Sequence, residues 1–298
     1  MEFNVQYILF GFAPIFIGFI LWEVWYLKGR KSEFPTAQYS WADTISNGVL
    51  ALMHEATDAI AALGVMVIYH TLFGFRLFEI ENTVWSILLL FVLQDFCYYW
   101  FHRASHRVRW FWASHVVHHT SESLNFSTAF RQSATYPISG MWFFWLPLIA
   151  LGFQPETVVA VVLFNLAYQF FLHTQVAPKL GWIELIFNTP SHHRVHHARN
   201  PEYIDQNYAG TLIIWDRMFG TFVEEKDDLP CEYGITDPIH THNPITLTFH
   251  EWRNMINDMR APNQSMWHRL KHLWAPPEWS KEKTNQENSH FMQTKPQS

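Results

Sequence analysis

The sequence predicts an all-α integral membrane protein with four to five transmembrane or re-entrant helices and a cytoplasmic helical cap. Three observations predict this class: the composition, five apolar runs and the placement of the basic residues. Of the 298 residues, 49% are hydrophobic and only 15% are charged, whereas soluble domains have about 25% charged residues. Two cysteines are too few for a disulfide scaffold, and a net charge of −6 argues against nucleic acid as a partner.

The apolar runs lie at 7–27, 48–73, 83–101, 136–151 and 157–172. The first has the roughly 20 residues that a spanning helix needs. It has no basic segment before it and no small-residue cleavage site, so we expect an anchor rather than a signal peptide. The last two runs are short, and they predict either two short spans or a hairpin that enters the membrane and returns. The alternative for all five is a soluble protein with buried helices.

Basic residues follow the first, third and fifth runs, and they orient the chain. These residues are Lys28, Arg30 and Lys31, then Arg103, Arg107 and Arg109, then Lys179, Arg194 and Arg199. Cytoplasmic loops of membrane proteins carry an excess of Lys and Arg. The sequence therefore predicts a multi-pass protein in which these three segments face the cytoplasm.

The chain divides into three predicted parts. Residues 1–80 hold N-terminal membrane helices, 81–255 form a catalytic domain, and 256–298 form a surface helix and a flexible tail. The stretch 266–274 mixes bulky apolar and basic residues, which is typical of a membrane-surface helix or of an ordinary amphipathic one. Residues 281–298 have almost no apolar content and are expected to be disordered.

Half of the 18 histidines lie in three clusters, each just after an apolar run. The clusters are His102 and His106; His115, His118 and His119; and His192, His193, His196 and His197. On a helix, positions i and i+4 lie one above the other, whereas i, i+3 and i+4 straddle that face. Such a triplet can give ligands to two neighbouring ions, and imidazole suits iron, zinc, copper or nickel. We therefore expect a dinuclear metal site in the cap.

The histidine clusters also carry a family resemblance. The strings DFCYYWFHRASH, HVVHHTSE and NTPSHHRVHHARN resemble the fatty acid hydroxylase/sterol desaturase superfamily. STAFRQS and NTPSHHRVHHARNPEYIDQNYAGTLIIWDRMFGTF resemble its alkylglycerol monooxygenase branch, and the resemblance extends from about residue 88 to residue 251. It implies a membrane di-iron oxygenase that uses O2 to hydroxylate, or desaturate, a lipid such as a sterol, a fatty acyl lipid or an alkyl-glycerol lipid.

The resemblance also implies a ligand set. The family's histidine ligands fall on His102, His106, His115, His118, His119, His193, His196 and His197. His173 stands where the family supplies a further ligand between the second and third boxes. His192 lies just outside the spacing, so we expect it to support the ligands, with ligation as the alternative.

Four polar residues near the boxes are predicted to act in the site. Carboxylates beside a metal offset its charge and orient the ring N–H groups, and Asp95 and Glu122 are the catalytic candidates. Asp95 lies on the same helical face as the first box but two turns deeper, so a tertiary hydrogen bond is its alternative role. Arg131 and Gln132, in STAFRQS, are candidates for binding a cofactor or a head group, or else for surface ion pairs.

Further acidic residues have open roles. Asp205 and Asp216 are further candidates near the third box, and Asp216 is more easily explained by a role in the fold. Glu55 and Asp58 interrupt an apolar run, where ionisable residues indicate function by default. The alternative is that these two residues lie before the membrane span, which would then begin later than residue 48.

The chain has no glycine-rich dinucleotide fingerprint and no cysteine set for an iron–sulfur cluster. An oxygenase built on two Fe ions would therefore take electrons from outside, from tetrahydrobiopterin or from a reductase with a small carrier. Zinc could substitute for iron, and one alternative function is a zinc-dependent membrane lipid hydrolase, although no H-E-x-x-H is present. The other is a non-enzymatic metal- or lipid-binding membrane protein.

Overall fold

The computed structural model describes residues 7–279, and in that range it contains helices joined by loops, with two isolated β-bridges and no strand. The all-α prediction is confirmed for these residues, while the predicted tail at 281–298 lies outside them. The α-helices are α1 (Tyr7–Leu27), α2 (Trp41–Phe73), α3 (Val84–Arg107), α4 (Arg109–His119), α5 (Tyr136–Ser139), α6 (Leu146–Leu151), α7 (Pro155–Phe170), α8 (Pro190–His197), α9 (Ile214–Phe219), α10 (Pro244–Arg260) and α11 (Met266–Lys271). Short 3-10 helices occupy Phe126–Phe130, Met141–Trp145 and Gly181–Leu185.

Two described helices, α2 and α3, are long and apolar enough to cross a membrane. Helix α2 has 33 residues, which at 1.5 Å per residue makes it about 50 Å long. It begins at Trp41, seven residues before the predicted run, because the Ser40 side chain accepts a hydrogen bond from the Asp43 N–H and caps the helix. In its first turns one face buries the polar side chains of Asp43, Ser46 and Asn47, whereas Trp41 and Ile45 on the other face are exposed.

The predicted run 136–151 does not form one continuous helix. It is divided into α5, a 3-10 helix and α6. Gly140 makes the break, because its φ of +86° is a conformation that residues with a Cβ rarely adopt, and a Cβ there would lie 2.7 Å from the Phe143 ring. Helix α7, which covers most of the fifth run, has 16 residues. The fourth and fifth runs are therefore each shorter than a typical spanning helix.

An aromatic-rich core joins the apolar helices. Buried side chains of α2, α3, α5, α6, α7 and the 3-10 helix Met141–Trp145 form one cluster that includes Tyr69, Phe101, Tyr136 and Trp145. The opposite faces of α2 and α3 expose large apolar side chains such as Leu63 and Trp85. Apolar surface of this extent is expected to be covered by lipid rather than by water.

A buried carboxylate fastens α1 to the rest of the molecule. Glu23 is fully buried, and its carboxylate accepts hydrogen bonds from Tyr39 Oη at 2.5 Å, from the Phe126 N–H at 2.8 Å and from the Thr174 hydroxyl. A buried carboxylate is tolerated only when donors surround it. The contact with Thr174 fixes the turn after α7, and this turn carries His173.

Candidate metal centre

The three histidine boxes lie on helices whose ends meet in one buried region. His102 and His106 occupy the last turns of α3, the second box ends α4, and the third forms most of α8. His173 joins them from the turn after α7. The predicted helical spacing of the boxes is therefore present in the structure, and four separate segments deliver the rings.

The nine histidines form two groups, and in each group the ligand nitrogens lie within 4.8 Å of one another. All nine are buried. The first group contains His102, His106, His115, His119 and His196. The second contains His118, His173, His193 and His197. The second and third boxes are both divided between the groups, as expected for triplets that straddle a helix face.

Carbonyl oxygens fix the tautomer of four of these rings. Nδ1 of His102 lies 2.7 Å from the Tyr208 carbonyl oxygen, and Nδ1 of His173 lies 2.8 Å from that of Gln169. His118 and His196 make the same contact at 3.2 and 3.0 Å. A carbonyl can only accept a hydrogen bond. Each Nδ1 therefore carries the proton, and each Nε2 presents a lone pair to the centre of its group.

The arrangement of these lone pairs fits bound cations. Nε2 of His118 lies 3.1 Å from Nε2 of His173, and both rings carry their proton on Nδ1. Two lone pairs facing each other at this distance repel unless a cation lies between or beside them. In addition, Nε2 of His106 and Nε2 of His196 are buried without a hydrogen-bond partner among the described residues. The donor set therefore fits two metal ions, one for each group.

The electrostatic environment favours the neutral form of His115, His119, His173 and His197. Burial, with the neighbouring imidazoles, holds the pKa of His115, His119 and His197 well below the ordinary histidine value. Burial lowers the pKa of His173 to about 4. Metal binding requires the neutral imidazole, so these rings are in the binding form at neutral pH.

Asp95 lies near the histidines but fastens a loop. Its carboxylate accepts hydrogen bonds from the Thr211 and Leu212 N–H groups at 2.8 and 2.9 Å. It also accepts from Trp215 Nε1 at 2.9 Å and from Asn165 Nδ2 at 2.7 Å. The same loop carries the Tyr208 carbonyl that orients His102. These contacts match the alternative role of a tertiary hydrogen bond, and the catalytic role stays a prediction.

Asp216 supports the same loop from its other side. Its carboxylate accepts from the Tyr208 and Ala209 N–H groups, both at 2.8 Å, and from the Thr221 hydroxyl at 2.6 Å. Burial raises its pKa to about 6. The sequence-based preference for a role in the fold agrees with these contacts.

Arg131 is buried, with 1% of its surface exposed, and supports the second histidine group. Its guanidinium donates to Asp43 Oδ1 at 3.1 Å and Asn47 Oδ1 at 2.8 Å. Its Nε donates to the Val117 carbonyl, next to His118. Its own carbonyl accepts from His118, as described above. The predicted surface ion pair is therefore wrong, because the pair is internal, and the binding of a cofactor or head group stays a prediction.

Replacing Arg131 by leucine is expected to destabilise the second group. The change leaves the buried Asp43 carboxylate without its cation, a loss that typically costs about 3–5 kcal/mol. We expect a lower thermal midpoint in detergent and reduced metal content per chain. The double variant with Asp43→Asn should recover part of the midpoint. An unchanged midpoint and metal content for Arg131→Leu would contradict the supporting role.

Three other predicted residues lie at the margin of the site. Gln132 Nε2 lies 3.4 Å from His118 Nδ1 and donates to the Ala129 carbonyl at 3.0 Å. Glu122 is half exposed and lies 3.2 Å from His240 Nδ1 rather than from a grouped histidine. Its catalytic role stays a prediction. His192 belongs to neither group, and its ring packs edge-on against Phe222.

The sequence did not predict Tyr136 as part of the site, and it predicted no partner for Asp205. Tyr136 Oη lies 2.7 Å from His115 Nδ1, but no local pattern connects a tyrosine with a histidine 21 positions away. Asp205 Oδ1 lies 3.4 Å from His106 Nδ1, and Arg107 pairs with the same carboxylate. Burial opposes ionisation of Asp205, yet the hydrogen bonds to His106 and Arg107 lower its pKa.

A cleft of about 1430 Å³ reaches the first group from the polar side of the fold. His106, His119, His196 and His197 are among the residues that line it. Its lining also includes the charged residues Arg103, Arg107, Arg109, Asp205, Glu251, Asp258 and Glu278. The cleft therefore gives polar molecules a route to the histidines.

Comparison with known proteins finds a family model that matches the part of the chain containing the histidines. The model of the fatty acid hydroxylase family matches residues 87–221, which include every grouped histidine. The chain carries a fatty acid hydroxylase domain. This confirms the family resemblance of the sequence, and the chain is homologous to alkylglycerol monooxygenases. Together with α2 and α3, the similarity to a membrane enzyme family indicates a membrane protein.

The chain has relatives among known proteins. The chain is 46% identical to alkylglycerol monooxygenase of Homo sapiens over 244 residues, which are 80% of this chain and 52% of the relative. It is 40% identical to that of Danio rerio over 278 residues, 90% of this chain and 59% of the relative. Cholesterol 25-hydroxylase of Homo sapiens is 25% identical over 198 residues, 63% of this chain and 60% of the relative. The chain thus spans between half and three fifths of the length of these relatives. No solved structure matches it.

Proposed function

We propose that this chain is a membrane-bound di-iron oxygenase that uses O2 to hydroxylate a lipid. The observation that carries the proposal is the pair of buried histidine groups with inward-facing Nε2 lone pairs. The names of the relatives, alkylglycerol monooxygenase and cholesterol 25-hydroxylase, support the reaction class. The higher identity to the former favours an alkylglycerol as the substrate over a sterol or a fatty acyl lipid.

The number of ligands favours iron over zinc. Protein zinc sites are almost always four-coordinate, and catalytic ones have three protein ligands and one open position. The first group offers five imidazoles and the second offers four. Five nitrogen donors exceed the four that a protein zinc site usually has, whereas a six-coordinate ion accommodates them and keeps a free position. This comparison also weakens the zinc-hydrolase alternative.

The residues of the chain hold, orient and enclose the centre. When bound, the two irons would supply the reductive activation of O2 that oxidises an unactivated C–H bond. The Tyr208, Gln169, Gln206 and Arg131 carbonyls keep Nε2 of their histidines directed at the ions. Tyr136 covers His115 on the side of the aromatic core. On the sides away from the cleft, this burial keeps bulk water from the centre, which limits side reactions of activated oxygen.

Electrons would enter through the cleft on the polar side. Its volume of about 1430 Å³ is large enough for a small reductant such as tetrahydrobiopterin. Its charged lining residues could equally contact a reductase or a small carrier protein. We propose that the chain crosses the membrane several times and that the cleft and histidine boxes face the cytoplasm. The basic residues that border them, including Arg103 and Arg107, support this orientation.

The proposal is tested by metal content and oxygen uptake. Protein purified in detergent from iron-supplemented cells should hold close to two irons per chain by elemental analysis. With 1-O-octadecylglycerol and a reductant, it should consume O2 in proportion to hydroxylated product. Two zincs together with lipid turnover that needs no O2 would support the hydrolase instead. A folded protein without metal would overturn both functions.

A further inference from the structure

Helix α10 has an apolar face that is exposed. Ile245, Phe249 and Ile256 are four and seven positions apart, so they share one face of the helix. These residues are 58%, 48% and 42% exposed, and we call this the outer face of α10. Glu251 and Asp258, on the opposite face, line the cleft. A surface helix in water is expected to expose polar residues, so the outer face indicates an apolar neighbour.

The following helix repeats this pattern. Met266, Trp267 and Leu270 of α11, and Trp274 just after it, are all exposed and form the outer face of α11. The rings of Trp267 and Trp274 lie 5.1 Å apart between centroids. Tryptophan is enriched where a protein meets the membrane–water interface. Of the two predictions for residues 266–274, this exposure favours the membrane-surface helix, because an ordinary amphipathic helix would bury its apolar side chains.

Helix α11 lies at the level where a membrane-crossing helix would end. Helix α3 is long and apolar enough to cross a membrane, and it ends at Arg107. The N–H groups of Arg109 and Trp110 then donate to the carbonyls of Ala275 and Leu273 at 3.2 and 2.9 Å. The turn that ends α11 is therefore fixed within three residues of the end of α3.

Helix α10 lies beside the apolar flank of α2. Leu247, on the inner side of α10, belongs to one buried cluster with Leu50 of α2. The turns of α2 around Leu50 also expose Ile45, Val49 and Leu52. Helix α10 is thus next to a part of α2 whose exposed surface is expected to contact lipid.

Basic residues border both outer faces. Arg253 and Arg260 are exposed and lie beside the outer face of α10. Lys271 follows Leu270 at the end of α11. A helix with an apolar face bordered by Lys or Arg lies in the plane of the membrane interface, and anionic lipids strengthen its binding. The charge and the apolar side chains therefore both fit an anionic lipid surface.

We propose that the outer faces of α10 and α11 rest on the anionic head groups of the leaflet at which α3 ends. The apolar side chains insert between the lipids, and the bordering cations lie at the level of the phosphates. Because Glu251 and Asp258 line the cleft from the opposite face of α10, this contact keeps the cleft directed toward water. The inference adds a lipid-surface contact to the proposed function. It rests on the membrane location but not on the di-iron chemistry.

Fluorescence quenching in nanodiscs tests the contact on the full chain. Cys97 and Cys231 are changed to serine, and a bimane label is attached to Phe249→Cys or Trp267→Cys. Phosphatidylcholine brominated on its acyl chains quenches labels in lipid, and iodide quenches labels in water. We expect brominated lipid to quench both labels more strongly than iodide does.

Two further labels are the controls. Asn254→Cys lies on the cleft side of the same helix and should show the reverse, with stronger quenching by iodide. Leu88→Cys lies on the exposed side of α3 and reports whether the chain is inserted in the membrane. The thermal midpoint of each labelled protein shows whether it is folded.

The anionic preference is tested by adding phosphatidylglycerol to the nanodiscs. A cation near an anionic surface contributes about 1 kcal/mol, or about fivefold in the balance between docked and undocked α10. Phosphatidylglycerol should therefore increase the lipid quenching of the Phe249→Cys label. The double change Arg253→Gln and Arg260→Gln should remove this increase. Lys226→Gln, which removes an exposed charge from the loop after α9, should leave it unchanged.

The outcomes separate this inference from the proposed function. If the Phe249→Cys and Trp267→Cys labels respond to iodide while Leu88→Cys is quenched by lipid, the surface contact is overturned and the membrane location stands. Quenching of these two labels by neither agent means that protein covers both faces, which also overturns the contact. Lipid quenching that ignores phosphatidylglycerol overturns the anionic preference. A Leu88→Cys label that lipid does not quench overturns the membrane location itself.

Discussion

Replacing His118 or His196 by alanine is expected to abolish product formation and to remove metal. His118 belongs to the second group and His196 to the first, so each change removes a nitrogen donor from a different proposed metal site. Loss of residues that only support metal ligands typically costs 10–100-fold in metal affinity or activity. Loss of a ligand itself should cost more than about 100-fold. Elemental analysis and product formation measured on the same preparations check this expectation.

His192→Gln is the matched control for these variants. His192 is buried on the same helix as His196, but it lies outside both groups. We expect this variant to keep both metals and most of its turnover. Two bound metals and full turnover in both alanine variants would contradict the proposal that these histidines are metal ligands. Loss of a metal in His192→Gln would show instead that His192 is a ligand.

The second large effect is expected for Asp95→Ala, and it is an effect on stability. Four buried or half-buried donors converge on the Asp95 carboxylate, two of them backbone N–H groups of the loop that orients His102. Each buried donor left without an acceptor costs about 1–3 kcal/mol. Partial relaxation will recover some of this, so we expect a loss of about 3–5 kcal/mol. Thermal or denaturant unfolding in detergent measures it.

Glu122→Ala is the control for Asp95, because both residues were predicted to be catalytic. Glu122 is half exposed and contacts His240, so its removal should change stability by no more than about 0.5 kcal/mol. A normal midpoint with lost turnover in Asp95→Ala would instead support the catalytic role of Asp95. The same result in Glu122→Ala would assign catalysis to Glu122.

Much of the site could be read from local spacing. The distances of three and four residues between histidines already place rings on a common helix face. The structure keeps that geometry on α3, α4 and α8. The apolar runs likewise predicted α1, α3 and α7 to within a few residues, except at the C-terminal end of α3. These features depend only on residues that are neighbours along one helix.

The failures of sequence reasoning are equally instructive. The run 136–151 looked continuous because every residue type in it is apolar or neutral, yet Gly140 turns the chain within it. Arg131 looked like a surface or binding residue because its partner, Asp43, lies 88 positions earlier in the chain. Neither the turn nor the pairing leaves a trace in composition or periodicity.

The sequence by itself therefore determined the helical class, the apolar segments and the nitrogen-rich chemistry, because each follows from spacing within one helix. Only the tertiary structure decided which histidine belongs to which group, that Tyr136 contacts His115 and that Asp95 holds a loop. Those outcomes depend on where separate helices meet. That placement is set by the packing of apolar faces and by buried polar groups that must each find a partner, and these are long-range conditions that no local pattern records.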